Sequence, residues 1–148
     1  MLKLPPPIWA LIFLAAAFGA SRLYDWRSIA DLQILPLGIA LVVFGVALAF
    51  WAAGLFRREG TEIMPTSPAN KKLVEKGPFR FTRNPMYLGL TTATLGVAFW
   101  NGLLPYFAVP ILVFLTTNFV HIPFEEAKMR RQFGADYDDY CRRVRRWV

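Results

Sequence analysis

Residues 34–56 contain no Asp, Glu, Lys or Arg, and neither do residues 84–124; outside these two apolar blocks the charges come in short, dense clusters. The first block makes roughly 34 Å of helix, enough to cross the hydrocarbon core of a bilayer once. The second is about twice as long as one crossing needs. It therefore predicts a helical hairpin, with helices near 86–100 and 103–124. The turn falls at Asn101, Gly102 and Pro105, because Gly tolerates positive φ and Pro cannot donate within a continuing helix. A further apolar segment, 5–24, opens on Pro5, Pro6 and Pro7 and carries one charge, Arg22. Proline suits the start of a helix better than its interior. The run 8–20 also has the length of a signal-peptide core, but Lys3 is the only basic residue before it, so the expectation is a retained first helix.

These spans predict an all-α integral membrane protein in a single domain, with about four transmembrane helices near 5–24, 34–56, 86–100 and 103–124 and a tail over 125–148. Gly45, Ala49 and Ala53 recur every four residues, a stripe that lets a neighbouring helix approach closely and permits oligomers without demanding them. In the tail, Phe133, Tyr137, Tyr140, Val144 and Trp147 share a helical face that Arg142, Arg143, Arg145 and Arg146 largely avoid. That pattern predicts a cytosolic amphipathic C-terminal helix at the membrane surface, which caps a pocket, holds anionic lipid or anchors the tail.

The chain has 148 residues, 55% of them hydrophobic, and a net charge of +7. The sign alone would fit a nucleic-acid partner, but the distribution excludes that reading. Of the 17 Lys and Arg, seven lie between Arg57 and Arg83 and seven follow Glu125. A positive-inside bias thus accounts for 14 of the 17 basic residues and predicts a multi-pass protein with both termini cytoplasmic, of the bacterial inner-membrane type. With one cysteine, Cys141, and one histidine, His121, there is no internal disulfide and no metal site to expect. His121, within the last apolar helix, is expected to be a hydrogen-bonded structural residue or, alternatively, a ligand contact.

Two segments carry chemistry. Residues 73–89 concentrate donors, aromatics and backbone-breaking residues just before a helix, with Arg80 and Arg83 able to grip a carboxylate or phosphate, Pro85 placed as a first-turn proline and Asn84 as its N-cap. Snorkelling arginines and an interfacial aromatic belt would account for the same residues at a membrane boundary. At the far end of the hairpin, Glu125 and Glu126 follow the 41 uncharged residues of 84–124; acids at that depth need a partner or a water-filled pocket, unless they are simply solvated. A hairpin brings the two ends together, so Arg83 and Glu126 are expected to converge. A zwitterionic ligand such as S-adenosylmethionine suits that pairing, and Glu can also accept from ribose hydroxyls.

These residues resemble the isoprenylcysteine carboxyl methyltransferase and phospholipid methyltransferase superfamily of small integral membrane enzymes. Leu73-Val74, Gly77-Pro78-Phe79-Arg80-Phe81 and Arg83-Asn84-Pro85-Met86-Tyr87-Leu88-Gly89 resemble its Leu-Val, Gly-x-Tyr and Arg-His-Pro-x-Tyr-x-Gly run. Glu125-Glu126 and the stretch from Phe133-Gly134-Ala135-Asp136-Tyr137 through Tyr140 to Arg143-Val144 follow in the family's order. The resemblance implies S-adenosylmethionine as cofactor at the cytosolic face and methyl transfer to a lipophilic acceptor, either an isoprenylcysteine-type carboxylate or a phospholipid amine. It further implies cofactor contacts at Leu73, Val74, Gly77, Phe79, Asn84, Pro85, Met86, Tyr87 and Glu126, with Lys71 and Lys72 just upstream. The catalytic candidates are Arg83 and Glu125, the latter as the one nearby group able to take a proton from an ammonium acceptor. Asn84 stands where many members have His, and Phe79 where many have Tyr. Asn keeps hydrogen-bonding capacity without the ability to become cationic. A non-enzymatic membrane module, such as a transporter fragment or assembly subunit, is the alternative reading of the same hairpin.

Overall fold

The computed structural model describes residues 4–59 and 73–148, and among them there are helices and no strands. α1 (Pro6–Ser21) leads through a short turn at Trp26–Ser28 to α2 (Leu35–Arg58). A second tight turn at Gly77–Arg80 precedes α3 (Pro85–Asn101), and α4 (Leu104–Thr116) returns antiparallel to it. One wide helical turn over Thr117–His121 joins α4 to α5 (Ile122–Phe133), and α6 (Ala135–Arg143) follows a break at Gly134.

The hairpin turns where the sequence places it. Gly102 sits at φ 77°, a left-handed conformation that ends α3, and its N–H bonds the Ala98 carbonyl at 2.8 Å. The segment before α2 seals this end: Leu32 N–H donates to the Gly102 carbonyl and Ile34 N–H to that of Phe99.

α3 packs on α2 along its length and on α4 along the other side, with α1 laid against α4. The α2–α3 contact is made backbone to backbone. A Cβ on Gly45 would lie 2.4 Å from the Gly89 carbonyl oxygen, and one on Gly96 would lie 2.7 Å from that of Gly38. The expected small-residue stripe of α2 thus runs against a second stripe on α3, and Gly38 extends it. Between α1, α3 and α4 a core forms from Ala10, Ala17, Ala98, Tyr106, Val109 and Val113.

Much of the remaining apolar surface faces outward. Phe44, Phe50 and Trp51 on α2 and Ile111 and Phe119 on the α4 side are exposed, and only 11% of the apolar window of α2 is buried within the protein. A surface this apolar calls for lipid rather than water. Leu35–Arg58 and the continuous run Leu104–Phe133 are long and apolar enough to cross a membrane. α1 and α3, at 16 and 17 residues, reach only about 25 Å, less than the roughly 30 Å of a typical hydrocarbon core.

The sequence expectation that the last apolar helix ends near residue 124 is corrected here. The helix runs on to Phe133, with one wide turn where Pro123, lacking an N–H, cannot continue the α-helical ladder. Glu125 and Glu126 therefore sit on a helix wall and not at a helix exit.

Candidate active site

The site is built where the C-terminal end of α2 and the N-terminal end of α3 meet α5 and α6. Its first wall is the stretch 73–84. Gly77, at φ 57°, makes the tight turn that directs Phe79 inward, where its ring meets Phe56 edge to face at 5.2 Å. Val74 and Phe79 are buried with Ala52 of α2, backed by Leu55 and Met86. The Tyr140 hydroxyl reaches across from α6 to donate to the Phe79 carbonyl at 2.7 Å.

The second wall is α5 and α6. Tyr137, Tyr140 and Val144 are buried against Leu73, Met129 and Phe133, so the aromatic face of α6 is turned onto the protein and onto the site. Burial pushes the Tyr137 and Tyr140 hydroxyls well above their usual ionisation range, so both act as neutral hydrogen-bonding groups. Trp147, expected on the same helical face, lies beyond the end of α6; its ring meets Phe114 at 4.8 Å and its indole N–H donates to Asn118 Oδ1 at 3.0 Å.

Between these walls lies a cleft that holds about 70 Å³ of room for solvent. Phe56, Leu73, Val74, Phe79, Met86 and Met129 give it an apolar side; Arg83, Asn84, Tyr87, Glu125, Glu126, Tyr137 and Tyr140 bring polar groups. Arg83 Nη2 lies 3.2 Å from Glu126 Oε1, with both side chains almost wholly buried. Arg146 grips the same carboxylate with both prongs, Nε to Oε1 at 3.1 Å and Nη2 to Oε2 at 2.7 Å. That bonding holds the Arg146 guanidinium above its usual value. The neighbouring Glu125 turns the other way and accepts a hydrogen bond from the Tyr87 hydroxyl. Adjacent helical residues point about 100° apart, which lets the two acids serve different partners.

The structure thus brings Leu73, Val74, Phe79, Asn84, Met86, Tyr87 and Glu126 into one cleft together with Arg83 and Glu125. Gly77 and Pro85 shape the wall without lining it: Gly77 turns the chain and Pro85 is buried at the start of α3. Lys71 and Lys72 lie outside the described residues.

Two expectations are corrected. Asn84 occupies the N-cap position of α3, but its side chain makes no capping bond; Nδ2 donates to the Arg146 carbonyl at 2.9 Å, while Thr82 Oγ1 accepts from the Asn84 N–H. His121 is fully buried and neither ring nitrogen has a hydrogen-bond partner among the described residues; its ring lies against that of Tyr87, centroids 6.4 Å apart.

The residues that line this cleft fall largely within a segment that known proteins share. The phospholipid methyltransferase family matches residues 34–136. The chain belongs to this family. Phosphatidylethanolamine N-methyltransferase B of Dictyostelium discoideum is 29% identical over 97 residues, covering 59% of this chain and 46% of that relative. The chain therefore spans less than half the length of the curated relative it matches. No solved structure gives a significant match.

Sequence reasoning missed some of what the cleft of this phospholipid methyltransferase family member contains. Phe56, the last apolar residue before Arg57-Arg58, and Met129, one turn beyond Glu125 and Glu126, both line it. Their spacing was the available signal. Arg146, which grips Glu126 from outside the cleft lining, is indistinguishable in the sequence from the rest of its basic cluster.

Proposed function

We propose that this protein transfers the methyl group of S-adenosylmethionine to the amine of a phospholipid headgroup at the cytoplasmic membrane surface. The observation that carries this reading is the buried Arg83–Glu126 pair, gripped by the half-buried Arg146, facing an apolar, aromatic wall within one cleft. An adenosyl amino acid has the same division: a zwitterionic end that needs both a cation and an anion, and a flat base that stacks on rings. The residues fit the group. The room of about 70 Å³ is below the roughly 300 Å³ at which small-molecule pockets begin, so occupancy requires the walls to part.

When bound, S-adenosylmethionine supplies an electrophilic methyl on a sulfonium centre, and the protein's task is then positioning. Arg83 and Glu126 hold the zwitterionic end; Phe79, Tyr137 and Tyr140 flank the base. A phospholipid ammonium must lose a proton before its nitrogen lone pair can attack. Glu125 is assigned that proton, with the Tyr87 hydroxyl orienting its carboxylate.

On this reading α1, α2, α3 and the α4–α5 run cross the bilayer, with both termini and the cleft on the cytoplasmic side. The concentration of 14 of the 17 basic residues in the segment from Arg57 to Arg83 and after Glu125 supports that topology. Family membership and the name of the Dictyostelium relative support the phospholipid amine over an isoprenylcysteine carboxylate as acceptor.

The test is transfer of labelled methyl from S-adenosylmethionine by the full chain in nanodiscs of phosphatidylethanolamine, beside a prenylated cysteine carboxylate as competing acceptor. Label in the lipid amine, reduced in E126Q and R83A at subsaturating S-adenosylmethionine, is the expected result. Label only in the prenylated acceptor would overturn the acceptor assignment. A folded protein that binds no S-adenosylhomocysteine and labels neither would return the chain to the non-enzymatic reading.

A further inference from the structure

The segment after α6 is fastened to the entrance of α3 by its backbone. Arg83 N–H donates to the Arg145 carbonyl at 3.0 Å; Thr82 Oγ1 and Asn84 Nδ2 both donate to the Arg146 carbonyl, at 3.2 and 2.9 Å. On the far side, Asn118 Oδ1 accepts from Trp147 Nε1 at 3.0 Å and lies 3.5 Å from Arg146 Nη1. These bonds tie the tail to two separate parts of the chain, residues 82–84 and Asn118, and all serve to aim one side chain, Arg146, at Glu126.

The consequence for Glu126 is specific. Its Oε1 is shared by Arg146 Nε and Arg83 Nη2, and its Oε2 is taken by Arg146 Nη2. A carboxylate gripped by a planar fork has its orientation fixed, which a single end-on partner cannot achieve. Two guanidiniums also face this one carboxylate, while Glu125 turns away to the Tyr87 hydroxyl. In addition, the buried Arg83 Nε–H has no acceptor among the described residues, and a buried donor left unpaired is costly. The cluster therefore has capacity for a further anion while Glu126 remains available to a cation.

We propose that Arg146 is a positioning residue which, held by Thr82, Asn84 and Asn118, fixes the Glu126 carboxylate and completes with Arg83 a subsite for the α-amino acid end of the adenosyl cofactor. The proposal rests on the cofactor reading above and adds to it a residue and a division of labour: the charged cluster reads the amino acid, and the aromatic wall reads the nucleoside. The Asn84 side chain acquires a role from this as well, since its amide ties the Arg146 carbonyl to the start of α3.

Two thioether ligands separate this role from a structural one. S-adenosylhomocysteine carries the amino acid; 5′-methylthioadenosine carries the same nucleoside and sulfur without it. Calorimetric titration of the full chain in detergent, as wild type, R146M and R146K, gives the discriminating ratio. The expected result is about tenfold or greater loss of S-adenosylhomocysteine affinity in R146M, the scale of a lost charged hydrogen-bond pair, with 5′-methylthioadenosine affinity kept within about twofold. R146K, with charge but no fork, should fall between wild type and R146M. Equal losses for both ligands, or no loss for either, would overturn the assignment and leave the tail a structural brace. A wild type that binds neither ligand would remove the cofactor reading itself, and this inference with it.

Discussion

Arg83 and Glu126, 43 positions apart in the chain, meet at 3.2 Å as a buried ion pair across the two ends of the α3–α4–α5 hairpin. Removing one partner of a buried pair strands the other charge, which costs roughly 3–5 kcal/mol. E126A should therefore unfold at markedly lower temperature or denaturant concentration in detergent than wild type. The double variant R83M/E126M should recover much of that stability, because two apolar side chains of similar volume replace the pair, and Arg146 is exposed enough to turn to solvent. It should bind S-adenosylhomocysteine no better than E126A. Recovery of binding along with stability would show that the pair serves folding alone.

The α2–α3 interface makes a sharper structural prediction. G45A places a methyl 2.4 Å from the Gly89 carbonyl oxygen and 2.6 Å from the Ala93 nitrogen, both backbone atoms that cannot step aside. It should cost roughly 1–3 kcal/mol, the range of overpacking. G54A, nine residues further along the same helix, meets nothing within 4 Å and should gain up to about 1 kcal/mol from helix propensity. Thermal unfolding of the two variants side by side checks both signs.

Tyr140 tests the fastening of α6 to the 73–84 loop. Y140F keeps the ring in its cluster but leaves the buried Phe79 carbonyl without the donor now 2.7 Å away. A loss of about 1–2 kcal/mol is expected. 5′-Methylthioadenosine affinity should fall with it, since Phe79 is part of the aromatic wall. Unchanged stability would mean that water or another donor takes the hydroxyl's place.

The sequence carried the hairpin, its turn at Gly102 and the convergence of Arg83 with Glu126, because uncharged runs and helix-breaking residues are one-dimensional signals of membrane elements. It did not carry the continuation of the last helix to Phe133. Charge marks where an apolar run ends, and the helix continues past that point through α5. Asn84 was readable as the residue before α3, but not as the partner of the Arg146 carbonyl, which depends on where a segment 62 residues away folds back. His121 reads in the sequence as a hydrogen-bonded core histidine or a ligand contact, and among the described residues neither ring nitrogen has a partner. Arg146 was hidden for the opposite reason: in a run of basic residues, nothing local distinguishes the one that turns inward.

The two acids should separate kinetically. Glu126 faces the guanidiniums and Glu125 faces the Tyr87 hydroxyl, so a change at one leaves the other's bonds in place. If Glu125 takes the acceptor's proton, E125Q cannot do so at any pH, and turnover should fall by about 10²-fold or more, the scale of a lost general base. S-adenosylhomocysteine affinity should stay within about twofold of wild type. Y87F keeps the ring against His121 and removes only the hydroxyl that orients Glu125; its turnover should fall less, again with cofactor affinity preserved. E126Q should show the reverse, with affinity lost first and turnover recovering at saturating cofactor. Single-turnover methylation in lipid nanodiscs, paired with calorimetric affinities, gives both quantities for each variant. Equal loss of affinity in E125Q and E126Q would merge the two acids into one binding element and withdraw the proton-transfer role from Glu125.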